Sequence, residues 1–204
     1  MMRKILIDYI PFFGTIHFWR ALKEADVFVV LDREKLPQLY NKCYGVTIPV
    51  INNRFTEFED IRIYNGDSSW QRKLWKKYDD TFYKFKYYKK YRDDIKSIIN
   101  GKYHIKLFDF FNELFTQFCL YLDINTPVRL QSDMPYFSDD ITENVINISE
   151  YFNADITILP PRLRYEVHNI KIVWKNINVR FYKYSVFDIS EVLFKNGDDT
   201  CKML

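Results

Sequence analysis

Asp8 and Asp32 are the residues best placed to do chemistry. Each stands at or near the end of a short β-rich, apolar run, Lys4–Ile10 and Asp26–Asp32. In an open α/β sheet, ligands bind beyond the carboxyl ends of the strands. A carboxylate delivered there can bind a metal or a sugar hydroxyl, or act as a base. It can equally well cap the turn that follows. Arg162 and Arg164 come just after Pro160-Pro161, again beyond a run that reads as a strand. Two guanidinium groups there can clamp a phosphate or a carboxylate, and an ordinary exposed pair of arginines has the same sequence.

Other chemistries lack their residues. His17, His104 and His168 are isolated, with no HxxxH, no HxxE and no cysteine at ligand spacing, so a structural zinc site is excluded. There is no GxxxxGK[ST], no GxGxxG and no GxSxG, so neither a phosphate loop, nor a dinucleotide fingerprint, nor a nucleophile elbow is present. No metal is expected, and no cofactor can be named. Cys43, Cys119 and Cys201 are odd in number and far apart, which fits a reducing cytoplasm rather than a disulfide framework. The first ten residues hold Arg3, Lys4 and Asp8 around too short an apolar run for a signal peptide. No window approaches the ~20 apolar residues of a membrane span.

Charge is distributed unevenly. The 204 residues carry 30 Lys+Arg and 27 Asp+Glu, a net charge of +3, too small to demand a polyanionic partner. Between Gln71 and Arg92, however, nine basic residues face only Asp79 and Asp80, a local net of +7. Between Leu130 and Pro161 there is no Lys or Arg, and six acids give −6. The basic stretch is interleaved with Trp75, Tyr83, Tyr87, Tyr88 and Tyr91. It can be an electropositive face for phosphates with rings that stack on a base or sugar. A solvated helix face gives the same pattern. AT-rich codons also account for part of the Lys, Phe and Tyr content, and 19% of the residues are aromatic.

The elements that must position these residues read as an α/β fold, with a mostly parallel sheet and Rossmann-like layers. Lys4–Ile10 is a strand, Gly14 opens a helical pattern that runs to Ala25, and Asp26–Asp32 is an apolar strand buried on both faces. Strand, helix and strand within about 30 residues form a βαβ unit. Strand-like pieces follow at Tyr44–Ile51 and Asp60–Tyr64. Ser68-Ser69 cap a helix carrying Trp70, Leu74, Tyr78, Phe82 and Phe85 on one face. Two more helices cover Tyr88–Ile99 and Ile105–Leu122. The C-terminal third returns to alternation: a strand at Pro127–Leu130, a helix capped by Asp139-Asp140 and running through Tyr151, a strand at Ala154–Leu159, one or two strands in Ile170–Tyr184, and a short helix Asp188–Lys195 stopped by Gly197. The expectation is one domain over 1–204, with 68–125 as a helical insertion.

The order of these segments resembles the WbqC-like family. Tyr9-Ile-Pro11-Phe-Phe-Gly14, a short helix, then Ala25-Asp26-Val-Phe-Val-Val-Leu-Asp32 is similar to that family's opening, roughly His-Gln-Pro-x-Tyr-x-Pro-x-x-Gly followed by Ala-Asp-x-x-Val-x-x-Asp. Val46-Thr-Ile-Pro49-Val is similar to its LTVPV strand, and Ile61-Arg-Ile before Trp70 to its step into the helical region. Tyr78 with Phe85-Lys-Tyr-Tyr88, and Val192-Leu-Phe194 with Gly197, match two later segments. The likeness covers almost the whole chain and rests on the ordered set, not on any single motif. The chain departs from the pattern where the family's first His and Gln fall near Leu6 and Ile7, where its late Ser-Gly turn is Leu159-Pro160, and where Glu191 and Lys195 replace Asp and Asn, although Tyr165 keeps the family's tyrosine.

The resemblance implies a cytoplasmic protein of surface-polysaccharide, O-antigen-type biosynthesis that modifies an activated or lipid-linked sugar by group transfer. On this reading Asp8 and Asp32 are catalytic. Tyr9, Trp70 and Tyr165 contact the sugar, and Arg72 with Arg162 or Arg164 holds the phosphate of a ligand such as a nucleotide sugar. The alternative is a non-catalytic binding or scaffold protein that uses the basic face 71–92, and the missing His and Gln favour it. Nucleic acid is the less favoured partner, and a homo-oligomer stays open.

Overall fold

The computed structural model describes residues 2–37, 40–51, 56–66, 69–101, 103–167, 178–183 and 188–204. In chain order the elements are β1 (Lys4–Asp8), α1 (Ile16–Glu24), β2 (Val27–Val30), β3 (Lys42–Cys43), β4 (Val46–Thr47), β5 (Val50–Ile51), β6 (Arg62–Ile63), α2 (Ser69–Phe82), α3 (Tyr88–Gly101), α4 (Leu107–Leu122), β7 (Val128–Leu130), α5 (Ile141–Tyr151), β8 (Ile156–Leu159), β9 (Asn178–Phe181) and a C-terminal helix, Ile189–Asn196. They group into two compact units. One gathers Met1–Tyr9, Thr15–Glu34 and Ile124–Val186, and the other Ile10–Gly14, Lys35–Asp123 and Phe187–Leu204. The segment expected as an insertion, 68–125, supplies only part of the second unit.

The first unit is built on a five-stranded sheet in the order β7-β2-β1-β8-β9, and every pairing is parallel. Val27-Phe-Val-Val30 is buried at all four positions, the signature of a strand covered on both faces. β1 pairs with β2 from Ile5↔Val27 to Asp8↔Val30, and with β8 from Lys4↔Ile156 to Leu6↔Ile158. α1 makes the crossover between the two parallel strands β1 and β2, and the Thr15 hydroxyl caps it by accepting from the Phe18 amide. Asp140 caps α5 in the same way, through the Thr142 amide. Of the strand expected within Ile170–Tyr184, residues 178–181 form β9, while 170–177 and 184 lie outside the described residues.

The second unit is helical, with two short antiparallel pairs, β3–β4 and β5–β6. The strand-like run expected over Tyr44–Ile51 holds β4 and β5, separated by Ile48-Pro49. Tyr44 and Gly45 both have positive φ, +48° and +74°, which makes a two-residue hairpin turn and reverses the chain. On α2, Trp70, Leu74, Tyr78 and Phe82 are buried as the spacing predicts, whereas Phe85, expected on the same face, lies in the turn beyond the helix end. The cap expected from Ser68 lies outside the described residues. α4 begins at Leu107 rather than Ile105, because the Ile105 carbonyl accepts from the Ile63 amide before the helix starts. The core of this unit is aromatic. Phe194 packs against Tyr78, Phe82 and Tyr88 with ring centroids 5.2–6.0 Å apart. Such edge-on pairs add to simple area burial. No described helix is long and apolar enough to cross a membrane.

Candidate functional site

The order of the sheet reverses between β1 and β8, which is where ligands of open parallel sheets bind. Asp8, the last residue of β1, lies at that point and is 1% exposed. The arginine that follows β8 reaches it: Arg162 Nη2 donates to Asp8 Oδ1. The Tyr9 amide donates to the same oxygen at 2.7 Å. The Tyr182 hydroxyl, just beyond β9, donates to Oδ2 at 2.6 Å. Three neighbouring strand ends thus converge on one carboxylate. The Arg162 guanidinium also lies 4.7 Å from the centroid of the Tyr9 ring, a cation–π contact that fixes its plane.

The burial of Asp8 has an electrostatic consequence. Loss of hydration raises its pKa above the usual carboxylate value, against the charge of Arg162 and the hydrogen bonds from Tyr182 and Tyr9. Burial likewise raises the Tyr9 phenol and keeps it protonated, despite Arg162. Glu166 is raised as well, first by desolvation and then by Glu34, with Arg162 opposing. A carboxyl group whose proton affinity is raised beside a fixed cation can accept a proton from a bound hydroxyl or amine and return it.

A second polar cluster occupies the carboxyl ends of β2 and β7. Asp32 is fully buried, and its Oδ1 accepts from the Ser132 amide at 3.0 Å. Glu34 Oε1 accepts from Gln131 Nε2 at 3.0 Å and from Asn144 Nδ2 at 2.7 Å. Asn144 also grips the main chain of Ser138 from both sides, accepting from its amide at 2.7 Å and donating to its carbonyl at 2.6 Å. Among the described residues, Asp32 Oδ2 and Gln131 Oε1 are buried acceptors with no donor. Leaving such atoms unpaired costs about 1–3 kcal/mol each, and a ligand rich in hydroxyl groups offers the donors they lack.

Asp8, Tyr9 and Arg162 are therefore brought into contact, while Asp32 sits one strand away in its own network. Arg164 is exposed and stands over the Phe181 ring, 5.1 Å from its centroid. Tyr165 is 83% exposed. Trp70 and Arg72 belong to α2 in the second unit, the first buried and the second exposed. Tyr182, Glu34, Gln131 and Asn144 are site residues that the motifs did not reveal. Asn144 alone left a trace in the sequence, as a polar residue on the same helical face as Ile141, Val145 and Ile148. Among the described residues no three His, Cys, Asp or Glu side chains are grouped to hold a metal.

Residues 8–190 match the model of the WbqC-like protein family, and the chain belongs to that family. No curated protein and no solved structure matches it significantly.

Proposed function

We propose that this protein is a group transferase of surface-polysaccharide biosynthesis that takes an activated sugar, such as a nucleotide sugar, at the carboxyl edge of its five-stranded sheet. The observation that carries the reading is Asp8, buried at the point of strand-order reversal between Arg162 and Tyr182. In the reaction, an acceptor hydroxyl or amine gives its proton to Asp8 as it attacks the donor. The bond to the leaving phosphate breaks with its electron pair on the phosphate oxygen, and Arg162 balances the charge that develops. Asp32 and Gln131 accept hydrogen bonds from sugar hydroxyl groups. Tyr165 and Arg164 supply an exposed ring and cation at the rim.

Calorimetric titration of the full chain with a panel of nucleotide sugars tests this. The wild type is expected to bind at least one. Asp8→Asn and Asp32→Asn are expected to bind it at least tenfold more weakly while melting within a few degrees of wild type. Wild-type affinity in both variants, or no binding across the panel, overturns the reading.

One observation favours a second reading, a binding protein that presents its basic face. On α2, Arg72, Lys73, Lys76 and Lys77 are exposed and in no ion pair among the described residues, whereas Lys90 and Arg92 are paired with Asp198 and Asp79. Association through that face would weaken steeply between low and moderate salt, because exposed charges are screened over ~10 Å at 0.1 M.

A further inference from the structure

The second unit contains a cavity of about 460 Å³ beside the β3–β4 hairpin and the first turn of α2, within the size range of small-molecule sites. We infer that it is a separate binding site for a phosphorylated ring compound of the sugar-phosphate class. This inference stands whether or not the carboxyl-edge reading is right.

Three features of the lining argue for that class. Trp70 is 5% exposed, and its ring is fixed edge-on against Phe110 at 5.6 Å. Its indole N–H is buried with no acceptor among the described residues, although buried tryptophans usually find one. Tyr64 forms a second ring surface. Its ring lies against Gly66, where a Cβ would stand 2.6 Å from the Tyr64 Cζ. Lys73, one helical turn beyond Ser69 and Trp70, brings an ammonium group that is exposed and in no ion pair among the described residues. Among the described residues no acidic side chain lines the cavity.

The hairpin supplies the remaining wall. Gly45 has φ +74°, and the place where its Cβ would stand is open, so the turn leaves room. Thr47 and Ser69 add hydroxyl groups. Aromatic faces suit the C–H faces of a sugar ring, hydroxyl groups suit its hydroxyls, and one lysine suits a phosphate as a point charge. A neutral sugar leaves Lys73 without a partner, and inorganic phosphate leaves the rings uncovered.

Calorimetric titration of the full chain with glucose 1-phosphate, glucose and inorganic phosphate reads each contribution. Glucose 1-phosphate is expected to bind at least tenfold more tightly than either of the others. Lys73→Met and Tyr64→Ala, both at exposed positions, are expected to weaken it at least tenfold and several-fold with unchanged melting temperatures. Arg162→Met is expected to leave it unchanged, which separates this cavity from the carboxyl edge. Binding that survives Lys73→Met but not Arg162→Met overturns the inference, as does inorganic phosphate binding as tightly as the sugar phosphate, or no binding at all. Failure of nucleotide sugars at the carboxyl edge has no bearing on these outcomes.

Discussion

The two edges of the five-stranded sheet use acidic residues in opposite ways. At the amino edge, Asp26 and Asp155 are exposed and accept from the main-chain amides of Lys4 and Arg3. Glu24, beside them, is held by Lys4 and Arg180. Hydrogen bonding from Arg180, ahead of its other contacts, brings the Glu24 pKa down to about 2. At the carboxyl edge, Asp8 and Asp32 are stripped of water, and the Asp8 pKa moves up. The same residue type thus stabilises one edge as an ordinary clamp and is held at a cost at the other. Positions where a fold tolerates a costly carboxylate are where function is to be sought.

The largest effect expected from this contrast is in stability. Asp8→Ala removes the acceptor shared by Arg162, Tyr9 and Tyr182 and breaks a largely buried ion pair, at a cost of about 3 kcal/mol. Thermal melts should show a drop of about 6–12 °C. Asp155→Ala, at the amino edge, should lower the melting temperature by only about 1–4 °C. Equal drops would erase the distinction between the edges.

Next in size is Asn144→Ala, which frees the Ser138 main chain and removes a donor from Glu34. About 2 kcal/mol is expected in urea unfolding, and a loss under about 0.5 kcal/mol would show that this cluster is not structural.

The pH dependence should have opposite signs at the two edges. Glu24 binds its proton less tightly folded than unfolded. Its stabilisation is present above the unfolded value of 4.5 and fades as pH falls toward about 2. Asp8 binds its proton more tightly folded than unfolded. Stability is therefore lost as pH rises from 3.8 through its raised value. Urea midpoints between pH 2 and 7 should show a shallower rising limb in Glu24→Gln, where Asp79 and Asp198 remain lowered, and a shallower falling limb in Asp8→Asn, where Asp188 and Glu166 remain raised. The smallest effect is the Glu24–Arg180 coupling itself, which at this exposure should come to at most about 1 kcal/mol in a double-mutant cycle.

Much of this was legible in sequence because it is local. The β1–α1–β2 unit, the all-apolar Val27–Val30 and the buried faces of α2 and α4 follow from patterns within single elements or between neighbours in sequence. So does the cap from Asp140, whose carboxylate accepts from the Thr142 amide two residues on. Asp8 and Asp32 were recognisable as strand-end acids. Their partners were not, since Arg162, Tyr182 and Ser132 lie 154, 174 and 100 residues away from the acid each contacts. Pairing at that distance is set by strand order, and spacing carries no trace of it. The run read over Tyr44–Ile51 does hold strand, but it divides at Ile48-Pro49 because β4 pairs back onto β3 and β5 pairs onward with β6, a choice of partner that the run itself does not carry.

Strand order also governs how the protein can be made. β1 is the middle strand of the sheet, yet its partner β8 ends at Leu159. On a ribosome adding ~5–20 residues per second, roughly 150 residues separate the two, so one rim of β1 goes without its hydrogen-bonding mate for about 8–30 s. During that interval the nascent chain displays an apolar, unpaired strand of the kind that recruits other chains. Slower synthesis should increase aggregation of the unfinished polypeptide, and an early chaperone should reduce it.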